Sequence, residues 1–130
     1  MGRTTILIAD DDVVMRKLLQ HHLQQAGYVV LSAVNGAEAI ESSQTHHIDL
    51  VITDMYMPFF NGLEVCRRIH EAPATGTVPV IMVSAPAERL SRDEIAASGI
   101  SAWITKPFNP TALLTTVEHA LRSSASTISA

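Results

Sequence analysis

Several features that indicate particular protein classes are scarce or absent in this sequence. A single cysteine, Cys66, excludes an internal disulfide and is typical of a reducing compartment. Lys and Arg number 9 against 13 Asp and Glu, giving a net charge of −4. The sequence therefore lacks the basic excess of a nucleic-acid-binding domain, and we predict no direct contact with nucleic acid.

Long hydrophobic runs and glycine-rich loops are missing as well. No uncharged apolar run approaches the length needed to span a bilayer, and the first residues, "MGRTTILIADDD", do not resemble a signal peptide. We therefore expect a cytoplasmic protein with no membrane association. No glycine-rich phosphate loop is visible, which argues against a bound nucleotide.

The sequence does contain a regular alternation of strand-like and helix-like segments. With 130 residues and 47% hydrophobic content, it has the size of one domain with a substantial core. Five apolar segments are predicted strands, and three of them are nearly continuous in apolar residues, as in strands covered on both faces. The strands are predicted at 4–9, 28–33, 48–54, 78–84 and 101–105.

Helix-period segments follow each of these strands. The first, over 13–28, places Met15, Leu18, Leu19, Leu23 and Ala26 on one apolar stripe. Later helices are predicted at 36–45, 61–72, 87–98 and 109–124. Strand–helix alternation of this kind predicts an α/β doubly wound parallel sheet with right-handed crossovers. We predict one domain over 1–122, followed by a Ser-rich flexible tail or the start of a linker at 123–130.

Polar residues stand where the predicted strands end. Strand one ends in the triplet Asp10-Asp11-Asp12, strand three in Asp54, strand four in Ser84, and strand five runs into Lys106. In open parallel sheets, ligands bind at the carboxyl ends of the strands, so these groups are expected at one edge. Neighbouring carboxylates repel each other unless a cation lies between them, and Mg²⁺ is a hard cation that takes oxygen ligands. The pattern therefore predicts a Mg²⁺ site equipped for phosphoryl transfer.

The motifs as a set resemble the receiver domain of two-component response regulators. The segments "ILIADDD", "DLVITDMYMPFFNGLE", "VPVIMVSA" and "GISAWITKPF" carry this resemblance, which runs from about residue 5 to 122. It implies the flavodoxin-like (βα)5 fold, with strand order 2-1-3-4-5. It also implies a phosphoacceptor signalling switch that catalyses its own phosphorylation and dephosphorylation but is not a turnover enzyme.

The resemblance assigns roles to the residues at the strand ends. Asp54 matches the phosphoacceptor, and Asp11 and Asp54 match direct Mg²⁺ ligands. Asp10 matches an acid that acts mostly through water, and the backbone carbonyl of Tyr56 matches the position that completes the metal shell.

Other positions match the parts that respond to phosphorylation. Ser84 matches the hydroxyl that moves toward the phosphoryl group, Lys106 the lysine that pairs with it, and Lys106-Pro107 a cis peptide bond. Trp103 occupies the aromatic switch position, where the family usually has Tyr or Phe. Tyr56 and Pro86 lie two residues after Asp54 and Ser84, where they are expected to set the lifetime of the phosphorylated state.

The resemblance also implies the partners. A histidine kinase or histidine phosphotransfer protein would donate the phosphoryl group, and an unidentified protein would bind the α4-β5-α5 face. Asp12 is the extra acid, expected to cap the first helix or to face solvent.

Two alternatives compete with this interpretation. "DDDVV" after a strand also fits the D-x-D-x-V pattern of haloacid-dehalogenase-type phosphatases, with Asp10 as nucleophile and Asp12 as acid/base. That family needs a late acidic motif, whereas Glu118 is the one acidic residue after Lys106. The second alternative is a degenerate receiver that acts as an unphosphorylated scaffold.

Overall fold

A computed structural model describes residues 3–88 and 90–129 of the chain. Five parallel strands form one sheet in the order β2-β1-β3-β4-β5, so the predicted α/β fold and its strand order are confirmed. Each strand begins one or two residues later than predicted. The strands are β1 Thr5–Ala9, β2 Val29–Ala33, β3 Leu50–Asp54, β4 Val80–Ser84 and β5 Ala102–Thr105.

Within the described residues, five α-helices alternate with these strands, and two short 3-10 turns occur at Pro73–Thr75 and Pro86–Glu88. The helices are α1 Val13–Gln25, α2 Gly36–Thr45, α3 Gly62–Glu71, α4 Arg92–Ser98 and α5 Pro110–Ser129. None of the helices in the described part of the chain is long and apolar enough to cross a membrane.

The core consists of two apolar layers, one on each face of the sheet. Because successive strand residues point to opposite faces, β4 contributes Val80 and Met82 to one layer and Ile81 and Val83 to the other. The three central strands are almost completely buried, which explains their continuous apolar sequences. Cys66 is a buried residue of the first layer, and burial raises the pKa of its thiol to about 11.

The first helix buries a narrower face than predicted. Leu19 and Leu23 are fully buried, but Leu18 is 43% exposed. Leu18 lies about 100° around the helix from Leu19, so it falls off the narrow face that meets the sheet. Ala26 is the exposed C-cap of the helix, and the next residue, Gly27, has a φ of +97°.

The fourth helix begins five residues later than predicted. The sequence predicted a helix from residue 87, but the chain forms a 3-10 turn at Pro86–Glu88 and α4 begins at Arg92. Ser91 is the reason, because its side chain accepts the Glu94 N–H while the Glu94 carboxylate accepts the Ser91 N–H. The letters "SRDE" are this S-x-x-E capping box, a helix-start signal that the sequence prediction overlooked.

The last helix is longer than predicted. The backbone is helical through Ser129, and Ala130 lies outside the described residues. The division into a domain at 1–122 and a tail or linker at 123–130 stays a prediction. As predicted, α5 has Asn109 before its first turn, where the side chain accepts the N–H groups of Thr111 and Ala112.

Candidate functional site

The predicted polar residues do meet at the carboxyl edge of the sheet. Asp10 directly follows β1, Asp54 ends β3, and Ser84 ends β4. Lys106 directly follows β5, and the Lys106-Pro107 peptide bond is cis, as the resemblance implied. Because β1 and β4 are the two neighbours of β3, the residues from these strands flank Asp54 from both sides.

Three carboxylates form a cluster at this edge. Asp10, Asp11 and Asp54 each offer one oxygen, and these oxygens lie within 4.8 Å of one another. Asp10 and Asp54 are only 1% and 8% exposed, whereas Asp11 faces solvent. The cluster is therefore buried on the side of Asp10 and Asp54 and open to solvent on the side of Asp11.

Asp12 does not belong to this cluster. Its Oδ1 accepts the N–H of Val14 at 2.8 Å and the N–H of Met15 at 3.3 Å, so it is the N-cap of α1. This confirms the first of the two expectations for Asp12. The triplet thus divides into two acids that face the site and one that begins the helix.

Asp10 is the most constrained acid of the cluster. Its Oδ1 accepts the backbone N–H of Asp12 at 2.9 Å, but its buried Oδ2 has no hydrogen bond within the described residues. Burial raises the pKa of Asp10, and the charges of Asp54 and Asp11 raise it further. The hydrogen bond from Asp12 and the charge of Lys106 oppose this rise without cancelling it.

Lys106 supplies positive charge to the buried side of the cluster. Its Nζ lies 3.0 Å from Asp54 Oδ1 and 3.6 Å from Asp10 Oδ2. Burial lowers the pKa of Lys106, but the hydrogen bond to Asp54 and the charges of Asp10 and Asp54 outweigh it, so the pKa is raised. The lysine therefore remains an ammonium ion at neutral pH.

This donor set fits a hard divalent cation. All three side chains offer oxygen, and Mg²⁺ binds through one or two carboxylates while retaining several waters. The buried Asp10 Oδ2 has no hydrogen bond in the described part of the chain, and a water of a metal shell could satisfy such an atom. The open side at Asp11 leaves room for that water shell.

Ser84 and Trp103 are in direct contact. The Trp103 Nε1–H donates to Ser84 Oγ at 2.7 Å, and the serine is fully buried. Tyr56 and Pro86, the two residues predicted to affect the lifetime of the phosphorylated state, are both exposed, Tyr56 to 56%.

The loop after Asp54 is held by close packing. The Gly62 N–H donates to the Met55 carbonyl at 2.7 Å. A Cβ at position 62 would lie 2.5 Å from the Asp54 carbonyl oxygen and 2.6 Å from Met82 Sδ, so only glycine fits there. Asn61 and Glu64 form a reciprocal capping box that begins α3.

One residue at this edge had no role in the sequence analysis. The Arg16 guanidinium donates from Nη1 to the Asp10 carbonyl at 2.7 Å, which ties α1 to the end of β1. Arg16 lies in a helix of otherwise ordinary amphipathic pattern, so no sequence signal distinguishes it from a surface arginine.

Comparisons with known proteins agree with this geometry. A family model described as the response regulator receiver domain matches residues 6–118. The transcriptional regulatory protein ResD of Bacillus subtilis is 37% identical over 126 residues, which cover 97% of this chain and 51% of ResD. The chain spans about half the length of this and the other curated relatives that it matches.

Solved structures show the same fold. The chemotaxis response regulator CheY4 of Vibrio cholerae is 31% identical with a TM-score of 0.85, covering 92% of this chain and 99% of CheY4. The receiver domain of the sensor histidine kinase PA1611 from Pseudomonas aeruginosa shares the fold at 23% identity and a TM-score of 0.83. These matches cover 92% of this chain and 98% of the PA1611 domain, whose crystal structure holds a magnesium ion in the active site cleft.

These matches favour the receiver interpretation over the haloacid-dehalogenase alternative. The carboxylate of Asp12, the acid/base of that alternative, is occupied as a helix cap. The family match covers 113 of the 130 residues, counting from residue 6 through residue 118. The chain therefore belongs to the response regulator receiver domain family of two-component systems.

Proposed function

We propose that the chain is a phosphorylation-driven switch in which Asp54 accepts a phosphoryl group from a histidine kinase or a histidine phosphotransfer protein. The observation that carries this proposal is the position of Asp54, between two further acids and the ammonium group of Lys106. A carboxylate in such a place can act as a nucleophile toward phosphorus while cationic groups balance the charge of the phosphoryl oxygens.

Mg²⁺ is the proposed cofactor. Asp11 and Asp54 would bind it directly, Asp10 through water, and the Tyr56 backbone carbonyl would complete the protein's share of the shell. The support for this is the 4.8 Å cluster and the buried Asp10 Oδ2, which has an ion pair with Lys106 but no hydrogen bond among the residues that the structure describes. When bound, the ion supplies positive charge that stabilises the transferring phosphoryl group.

The proposed reaction is a single displacement at phosphorus, in which one bond forms and one bond breaks. An oxygen of Asp54 forms a P–O bond as the P–N bond of the donor phosphohistidine breaks, and the electron pair returns to the imidazole nitrogen. Lys106, already 3.0 Å from Asp54, pairs with a phosphoryl oxygen, and the Ser84 hydroxyl donates to another. Hydrolysis of the P–O bond by water then restores the carboxylate, so no substrate is turned over.

The rate of this hydrolysis is proposed to depend on Tyr56 and Pro86. Both are exposed, and each lies two residues after a residue of the site, so we expect a large ring and a rigid residue there to crowd the approach of water. We expect the double variant Tyr56→Asn, Pro86→Glu to lose its phosphoryl group faster than the parent protein. An unchanged lifetime, measured by loss of the phosphorylated mass, would contradict this part of the proposal.

The output is proposed to be protein binding through the surface formed by α4, β5 and α5. Phosphorylation would draw Ser84 and Lys106 toward Asp54 and shift the population of that surface toward a binding-competent form. We propose a cytoplasmic setting, no direct nucleic-acid contact by this domain and no membrane partner. The relatives named as transcriptional regulators are about twice as long, so their output does not transfer to this chain.

Labelling with a small phosphodonor tests the function. With acetyl phosphate and Mg²⁺, we expect a mass increase of one phosphoryl group, which Asp54→Asn and removal of Mg²⁺ both abolish. Asp12→Asn is the matched control, because asparagine caps helices as well as aspartate does and Asp12 lies outside the cluster. A label that persists in Asp54→Asn, or that maps to Asp10, would refute the proposal, and an unlabelled parent protein would favour the scaffold alternative.

A further inference from the structure

Arg16 lies in the first turn of α1, next to the acids that follow β1. Its Nη1 donates to the Asp10 carbonyl at 2.7 Å, and its side chain is half-buried. A hydrogen bond whose donor is charged is stronger than one between neutral groups. The contact is made with the backbone that carries the first two acids, and it can therefore control where that backbone points.

The Asp10 carbonyl belongs to the peptide group that leads into Asp11. Because a peptide group is planar, a bond that fixes the direction of this carbonyl also fixes the position of the Asp11 Cα. The peptide group that follows Asp11 is held as well, since the Asp12 N–H donates to Asp10 Oδ1 at 2.9 Å. The backbone is thus held by a hydrogen bond on each side of Asp11.

The same arginine also ties this segment to the helix. The Arg16 backbone N–H donates to the Asp12 carbonyl at 3.0 Å, while the Arg16 guanidinium reaches back to the Asp10 carbonyl. Asp11 lies between the two residues that accept these bonds. A change at Arg16 that removes only the guanidinium would leave the helical bond in place and release the peptide group before Asp11.

Asp11 is the acid of the cluster whose direction depends most on its backbone. Asp10 and Asp54 are buried, whereas Asp11 is exposed. One Asp11 oxygen nevertheless lies within 4.8 Å of oxygens of the other two acids. Carboxylates at that spacing repel one another, so an exposed acid on a mobile backbone would turn away from the cluster.

We propose that Arg16 is a positioning residue that holds the backbone of Asp10 and Asp11 so that the exposed Asp11 carboxylate faces the Mg²⁺ site. This inference rests on the proposed Mg²⁺ cofactor. Arg16 does not bind the ion in this proposal but acts through the peptide group that it holds. Because Mg²⁺ requires near-ideal octahedral geometry, a ligand that is already in place lowers the cost of binding.

Two simpler roles for Arg16 predict different results. If Arg16 acts only as a positive charge, its removal should strengthen the binding of any divalent cation, because like charges repel. If it only anchors α1, its removal should lower the free energy of unfolding without changing the ion affinity of the folded protein. Positioning predicts weaker binding, with a larger loss for Mg²⁺ than for Ca²⁺, whose coordination geometry is more flexible.

Titration of the ¹⁵N-labelled protein with each ion, followed through its backbone amide resonances, measures these affinities. In Arg16→Gln we expect the Mg²⁺ dissociation constant to rise about tenfold, the lower end of the range for residues that orient metal ligands. The Ca²⁺ dissociation constant should rise by a smaller factor. Lys17→Gln is the matched control, because it removes the same charge from the exposed neighbouring residue and should weaken neither ion.

Unchanged or tighter Mg²⁺ binding in Arg16→Gln would overturn the proposal, and so would equal losses of affinity for Mg²⁺ and Ca²⁺. Urea denaturation without added ion shows whether each variant is folded. If Arg16→Gln does not fold, Arg16→Lys, which keeps the charge on a shorter side chain, is judged by the same criteria. Failure of the proposed function is a separate result, seen as a parent protein that does not respond to Mg²⁺ or gains no label on Asp54.

Discussion

The connections that follow the two central strands β3 and β4 are built very differently. After β3, Gly62 packs against the Asp54 carbonyl oxygen, and α3 buries Val65, Cys66 and Ile69. After β4, the chain passes through a 3-10 turn into α4, a seven-residue helix with no buried residue. Asp54 is thus followed by a tightly packed segment and Ser84 by a loosely packed one.

This difference indicates which part of the site is suited to move. Elements with few buried contacts open at low free energy, whereas elements with buried apolar faces open only with the whole fold. The proposed switch needs a fixed acceptor and an adjustable output surface, and the two connections fit these two needs. The following predictions test this contrast, beginning with the largest expected effect.

Truncation of one isoleucine in each helix should give the widest difference. Ile69 in α3 is 1% exposed, so Ile69→Ala should lower the free energy of unfolding by about 2–5 kcal/mol. Ile95 in α4 is half-buried, and Ile95→Ala should cost less than about 1 kcal/mol. Urea denaturation of both variants measures the two values, and equal losses would remove the contrast.

Glycine substitution tests the packing behind Asp54. Gly62→Ala should destabilise the fold by about 1–3 kcal/mol, because its Cβ would overlap the Asp54 carbonyl and Met82. Gly76→Ala is the control, since its Cβ would have no neighbour closer than 3.6 Å and its φ of −60° suits alanine. A Gly62→Ala protein as stable as Gly76→Ala would show that the β3–α3 connection can shift to accommodate a Cβ, contrary to our inference.

Loss of the two capping boxes should affect the protein differently, one lowering global stability and the other mainly local stability. Asn61→Ala removes the cap of α3 and should lower global stability by roughly 1 kcal/mol. Ser91→Ala removes the equivalent cap of α4, and we expect a smaller global loss but faster amide exchange confined to Arg92–Ser98. Exchange that rises equally across the protein in Ser91→Ala would indicate that α4 opens only with the whole domain.

The smallest effect is a pH dependence within α4. The hydrogen bonds with Ser91 lower the pKa of Glu94 from its ordinary value of 4.5. Because the folded pKa is depressed, the carboxylate stabilises the helix above 4.5, and this contribution disappears as the pH falls through the lowered pKa. Amide exchange of α4 should therefore accelerate in that acid range in the parent protein, with no such step in Glu94→Gln, which has no carboxyl group to titrate.

Much of the fold was predictable because it depends on local pattern. Buried parallel strands need continuous apolar residues, and the three segments that have them form the three central strands. The site was predictable for a topological reason, since parallel strands bring their carboxyl ends to one edge and the polar residues follow those ends. Asp10, Asp54 and Lys106 are far apart in sequence but meet for this reason.

Other features depended on geometry that the sequence does not encode locally. The exposure of Leu18 follows from the rotation of α1 about its axis, which the sheet fixes. The contact of Arg16 with the Asp10 carbonyl and the bond from Trp103 to Ser84 join groups whose meeting depends on side-chain direction. The start of α4 was readable from "SRDE", but helix-forming residues before it favoured an earlier start.

The position of Lys106 has a consequence for how the chain folds. Lys106 lies 52 residues beyond Asp54, and β4 separates the strands that carry them. Until the fifth strand docks, Asp10 and Asp54 lack this ammonium neighbour. The repulsion between their carboxylates then destabilises the partly assembled sheet. Docking of the fifth strand therefore reduces the repulsion between the carboxylates as well as burying apolar surface. A fragment ending before residue 106 should consequently form a compact state less readily at low ionic strength than in concentrated salt, which screens this repulsion.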